Sequence, residues 1–240
     1  MVFVGKVFGK SKRRGADTDP VNEADIDHQL SEPAFEQRNA AAFWGWFKDN
    51  SERAAQLSRT LQDGGDPEAL VRPIFNALQR YDGRLSVLVG RNDARQGELV
   101  ISADGALEGF PAVTRLVAAA PEIAGWKVTA FKPRIDAMGQ ITISGCEVSP
   151  QTASYVSEKD WARAKINLSV SLPWLGSVPE DARRQVAFLL LDNLLGEHDA
   201  TTSIGHVKVS MRAEDEAPPG RPLSDLPAEI DALNASRPRH

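Results

Sequence analysis

Apolar residues recur every three to four positions from Ala34 to about Leu61, through Phe43, Phe47, Ala54, Leu57 and Leu61, with Asn50 on the same line. Lys48, Asp49, Glu52, Arg53 and Arg59 take the other positions, which predicts an amphipathic helix with one face toward a core. "GGDP" at 64–67 stops that helix, and Asp66-Pro67 starts a second one with Leu70, Ile74, Ala77, Leu78 and Tyr81 on one side. Pro73 falls near its first turns, where the missing amide costs least.

The period then drops to two. Leu85, Val87 and Val89 alternate, as do Leu99 and Ile101, with "RNDARQG" between them as the loop of a β-hairpin. A turn, "ADG" at 103–105, leads to a helix with Phe110, Val113, Leu116, Val117 and Ala120 on one face and Pro121 at its end. "WKVTAFKPR" (126–134) and "QITISG" (140–145) read as strands. "ARAKINLSVSLP" is the clearest one. Ala164, Ile166, Leu168, Val170 and Leu172 face one way, with Lys165, Asn167, Ser169 and Ser171 opposite, as in a sheet covered on one side. "SVPE" at 177–180 has the form of a capping box ahead of an apolar helix that Gly196 is placed to end. Strand "TSIGHVKVS", loop "APPGRP" and a last helix from Ser224 follow. Lacking regular βαβ alternation, this order predicts an α+β fold. Its sheet is largely antiparallel, with helices mainly on one face and two N-terminal helices ahead of it. No sequence repeat is visible.

The first 36 residues alter the domain picture. Lys6, Lys10, Lys12, Arg13 and Arg14 form a basic block without acids, and Asp17, Asp19, Glu23, Asp25, Asp27, Glu32 and Glu36 form an acidic block without Lys or Arg. Such segments bury little and repel themselves, so residues 1–33 are expected to be a flexible charged arm. Residues 34–240 are expected to be one α+β domain with a short disordered C-terminal end. Phe3, Val4, Val7 and Phe8 fall at helical spacing among lysines, a pattern that suits either a solubilising tail or weak contact of residues 1–14 with an anionic membrane surface.

Composition narrows function more than it assigns it. The chain has 240 residues, 42% hydrophobic and 25% charged, enough for a real core. A formal net charge of -5 speaks against a general nucleic-acid footprint. One cysteine, Cys146, leaves no intramolecular disulfide and no multi-cysteine metal site. No apolar run reaches the roughly 18 residues of a membrane span.

Candidate chemistry is sparse. Glu197, His198 and Asp199 are consecutive, and His206 follows on a predicted strand. Neighbours on a turn rarely converge on one ion, so the expected reading is a polar helix end and no metal. Cys146 and Ser203 carry no nucleophile motif. Asp104 and Glu108 flank a helix start, which suits a turn and a first-turn acid better than a catalytic pair. Lys132 and Arg134 in "FKPR" offer two cations to an anion, a partner or solvent. Within "FWGWF", Phe43 and Phe47 lie on the helix stripe and Trp46 borders it. Trp44 points off it, toward a second layer, the arm or a ligand. These nine, Trp44, Asp104, Glu108, Lys132, Arg134, Glu197, His198, Asp199 and His206, are the ligand or partner candidates.

The phrases "FWGWF", "ISADG", "GFPAV", "AAPEIAGWKVTAFKPR", "LLGEHD", "IGHVKV" and "PLSDLP" together resemble a bacterial protein family without an assigned activity, over roughly residues 40–230. The resemblance implies a bacterial, cytosolic protein and brings no catalytic residues. "GEHD" departs from the aromatic expected before the aspartate, which weakens an essential role for His198. The leading expectation is a non-catalytic binding or regulatory domain for a protein or small molecule, without cofactor or nucleic acid. One alternative is a hydrolase using Asp104, Glu108, His198 and His206. The other is a cytoplasmic adaptor at the inner membrane face.

Overall fold

The computed structural model describes residues 2–4, 39–60, 66–92, 94–135, 138–143, 146–176, 178–213 and 216–236. Apart from Val2–Val4, the charged arm lies outside them, as do Leu61 and the last four residues. The fold is α+β with mostly antiparallel sheets, and two helices precede the main strands. The chain divides into two compact units, Met1–Phe131 and Lys132–His240.

In the first unit, strand β1 (Val2–Val4) is followed by helices α1 (Ala40–Thr60) and α2 (Pro67–Tyr81). Asn39 starts α1 by accepting the Ala42 amide at 2.9 Å, and Asp66 caps α2 by accepting the Glu68 amide at 2.8 Å. Strands β2 (Ser86–Arg91) and β3 (Gly97–Ser102) pair antiparallel, helix α3 (Phe110–Ala118) crosses over, and β4 (Trp126–Ala130) returns parallel to β3. β1 pairs antiparallel with β2, giving the order β1-β2-β3-β4. Phe3 and Val4, whose spacing suggests a helix, therefore stand in a strand. A helix that short leaves most of its backbone groups unpaired, whereas the edge of β2 supplies partners.

Val87 and Val89 lie opposite Ile101 and Leu99, and this face joins Phe43, Phe47, Ile74, Leu78 and Leu116 in one buried core. Burial of each such side chain stabilises by about 1.5–3 kcal/mol. The strand expected to continue to Arg134 stops at Ala130, because Phe131 takes a φ of 64° and its ring turns onto Phe110, 4.5 Å between centroids.

The second unit opens with a small hairpin, β5 (Ile141–Ile143) and β6 (Cys146–Val148). β7 (Ser154–Asp160) and β8 (Lys165–Leu172) pair antiparallel, helix α4 (Glu180–Ser203) crosses over, and β9 (Ile204–Met211) returns parallel to β8. The two-residue β10 (Arg221–Pro222) pairs with β7, so the order is β10-β7-β8-β9, and α5 (Leu226–Ala235) ends the described chain. Ile166, Leu168, Val170 and Leu172 pack against Val186, Leu190, Leu194 and Ile230 in this unit's own core.

Two expectations concern α4. The capping box fell on Ser177, outside the described residues, and the helix begins at Glu180 with Pro179 before it and no side-chain cap. Gly196, at φ 72°, ψ 159°, ends the apolar helical segment as expected, and a second helical segment follows it directly to Ser203 across a kink. An L side chain is strained at that φ and ψ, and a Cβ would also meet Lys132 O at 2.9 Å.

Candidate functional site

Among the first unit's candidates, Trp44 is 2% exposed. The second layer it faces is α3: its Nε1 donates to Leu116 O at 2.8 Å, and its ring meets Phe43 and Phe47 edge-on at 4.8 and 6.0 Å. Asp104 is exposed in the turn after β3, at φ 49°, with its amide donating to Ser102 Oγ. Glu108 is exposed in the turn before α3, where its carbonyl accepts from Arg84. The pair is thus solvated, beside a helix start. Glu98, which sequence reading passed over, is fully buried in β3. Its Oε1 accepts from Thr129 at 3.1 Å and pairs with Lys127 at 3.4 Å, and Oε2 has no partner among the described residues.

The second unit brings "FKPR" and "GEHD" together at the α4 kink. The Glu197 amide donates to Lys132 O at 2.9 Å, and its carboxylate accepts the Lys132 amide at 3.1 Å, so one buried residue clamps the incoming chain at two points. Arg134 donates to Leu195 O at 3.0 Å, to Asp199 at 2.5 Å and to both carboxylate oxygens of Asp231 at 2.7 and 3.1 Å. The Asp231 hydrogen bonds hold the guanidinium above its ordinary pKa despite partial desolvation, and Asp199 adds to this. Asn234 extends the network from Asp199 to Ser203, which donates to Asn234 Oδ1 at 3.1 Å. His198 is exposed, with Nδ1 3.3 Å from Asp199 Oδ1. A cavity of about 290 Å³ opens beside Arg134, lined also by Met138, Gln151, Leu194 and Ser224. In this hub one cation, Arg134, serves two carboxylates, and the kink is locked to the preceding segment through the Lys132 backbone.

His206 stands elsewhere, and a single bulge decides where. Ile166 pairs with Ile204 but Leu168 pairs with Val207, so Gly205 and His206 together oppose Asn167 alone. Without the extra residue His206 would share the face of Ile204, which is buried. With it, Ile204, Val207, Val209 and Met211 keep to the core face, while His206 and Lys208 project from the opposite one. The bulge frees the His206 amide, and Asn167 Oδ1 accepts it at 2.9 Å. A Cβ at position 205 would overlap that Oδ1, so any larger residue there displaces the Asn167 side chain. The result is a groove of about 280 Å³ lined chiefly by Val156, Glu158, Asn167, Ser169, His206 and Lys208. Val156 is 50% exposed on it. α4, which carries His198, packs against the other side of this sheet. Of the four groups of the hydrolase alternative, His198 and His206 stand on separate faces of the second unit, and Asp104 and Glu108 belong to the first.

A third polar cluster ties α5 to β7. Glu229 accepts from Tyr155 at 2.9 Å and Ser157 at 2.7 Å and pairs with Arg221, whose guanidinium lies 5.1 Å from the Tyr155 ring centre. Burial pushes the Tyr155 hydroxyl up, and Glu229 beside it pushes further. For Glu229, desolvation raises the pKa, but the bonds from Ser157 and Tyr155 and the charge of Arg221 outweigh it and leave the carboxyl below its usual range. Sequence reading missed Asn167, Lys208, Glu229 and Asp231 as site residues. One signal was present: a lone glycine inside the strand "TSIGHVKVS" is a common mark of a bulge.

Among the described residues no three His, Cys, Asp or Glu side chains gather as a metal site, and no helix is long and apolar enough to cross a membrane. No protein-family model, curated protein or solved structure matches this chain. The resemblance of its phrases to a bacterial family therefore stands without a family assignment. What the fold defines is a class: an α+β protein with two four-stranded sheets, one carrying an exposed groove.

Proposed function

We propose that this is a non-catalytic binding protein and that the groove on the exposed face of the second sheet is its recognition surface. The observation that carries this reading is the Gly205–Asn167 bulge. It moves His206 from a core position to an open one, beside Lys208 and across from Glu158. A bulge that re-aims one polar side chain beside a concavity is a recurrent device at binding sites. The charged groups at the α4 kink and around Glu229 are bonded to each other, so they support the scaffold while the groove presents its groups outward.

The test is a titration of the isotope-labelled full chain with short peptides and small polar compounds, followed by amide shifts. The expected result is saturable perturbation centred on Val156, Asn167, His206 and Lys208, abolished in a His206→Ala, Lys208→Ala double variant that keeps the native spectrum elsewhere. Saturable binding centred on the Arg134 cavity, or unaffected by the double variant, would remove the groove from consideration.

A further inference from the structure

The two edges of the second sheet are finished differently. At one end β10 is two residues long and ends in Pro222, which has no amide hydrogen to offer a neighbour. At the other end β9 runs eight residues, and its only strand partner among the described residues is β8. Gly205, His206, Lys208 and Ser210 are exposed, and Val207, Val209 and Met211 are half-buried, so apolar area remains uncovered along the core face of this edge. Past the bulge the edge turns the backbone groups of alternate residues outward, with an apolar margin on one face and two nitrogen bases, His206 and Lys208, on the other.

We propose that β9 takes an extended segment of a partner protein as a fifth strand, and that this segment alternates acidic and apolar residues. The proposal rests on the groove reading and gives its ligand a chemistry. An added strand sends successive side chains to opposite faces. Acidic ones would then lie beside His206 and Lys208, and apolar ones beside Val207, Val209 and Met211. A second copy of this chain is a poor occupant. Pairing two β9 strands about a two-fold axis brings residues of the same face together, which sets His206 and Lys208 against their own copies, and like charges opposite each other destabilise a ladder.

The test uses the full chain and four labelled ten-residue probes: a peptide alternating glutamate and valine, its lysine–valine twin, and two glutamate–valine versions, each methylated on one alternate set of amide nitrogens. The acidic peptide is expected to bind about ten-fold or more tighter than the basic one, with Lys208→Glu reversing the order. Methylation of one amide set should abolish binding while the other set is tolerated, since only alternate amides face the edge of a strand. An acidic peptide that perturbs the groove but ignores methylation of both sets overturns strand addition and leaves the groove reading in place. Equal binding of the acidic and basic twins overturns the proposed partner chemistry. A concentration-dependent dimer that the acidic peptide disperses would hand the edge to a second copy. Failure of every probe to perturb β9 or the groove overturns strand addition, while the titration with small polar compounds decides the groove reading separately.

Discussion

The first unit orders its strands β1-β2-β3-β4 and the second β10-β7-β8-β9. In each, an antiparallel hairpin is followed by a helix and a strand parallel to the hairpin's second member, and an extra strand covers the hairpin's first member. That extra strand comes from the N-terminal side in one and the C-terminal side in the other. The means of closure differ more. The first core is aromatic, with Phe43, Trp44, Trp46, Phe47, Tyr81, Phe110 and Trp126, whereas Tyr155 is the sole aromatic among the buried residues of the second. The second has an aliphatic core and adds polar clamps at Glu197, Arg134 and Glu229. Apolar burial is indifferent to direction and pH, while clamps fix geometry and titrate. One strand plan thus tolerates two kinds of glue.

Trp44→Ala would strain the comparison most. It removes a buried indole, its bond to Leu116 and two edge-on ring contacts, so a loss of about 3–5 kcal/mol is expected in urea denaturation, confined to the first unit's probes. A loss below about 1 kcal/mol would mean that the aromatic core is not what closes that unit. Gly196→Ala comes next. A residue forced into φ 72°, ψ 159° with a Cβ 2.9 Å from Lys132 O should lose about 2–3 kcal/mol in the second unit. Faster amide exchange at Glu197 should accompany it, and unchanged exchange there would show the clamp to be dispensable.

The smallest effect is the most specific to the clamped unit. Because the folded-state pKa of Glu229 is depressed, its contribution is present in full above the unfolded glutamate pKa and fades as pH falls through the folded value. The wild type should therefore exceed Glu229→Gln in melting temperature at pH 7. The gap should shrink on acidification below the ordinary glutamate range. A gap that stays constant down to pH 3 would mean that the carboxylate charge contributes nothing.

Much of this architecture was legible locally. The stripe Phe43–Phe47–Ala54, the alternation from Lys165 to Leu172 and the Asp66-Pro67 start each report a periodicity or a cap, properties that a segment carries by itself. "FKPR" and "GEHD" were visible as charged phrases, yet their meeting was not, because some 60 residues separate them and no local period encodes which distant backbone a kink will face. Trp44 shows the same limit: its helical angle placed it off the stripe, and only the arrival of α3 turned that direction into a second layer of core.

The sequence by itself determined the helices, most of the strands, the α+β class and the absence of a cysteine framework, since these follow from spacing and composition. Only the tertiary structure decided that the strands sort into two sheets of one order, that a second helical segment follows directly after Gly196, and that His206 looks outward. The reason is physical. Periodicity records which side of an element is apolar, whereas register, bulges and the partners of a kink depend on backbone groups contributed by residues far away in the chain.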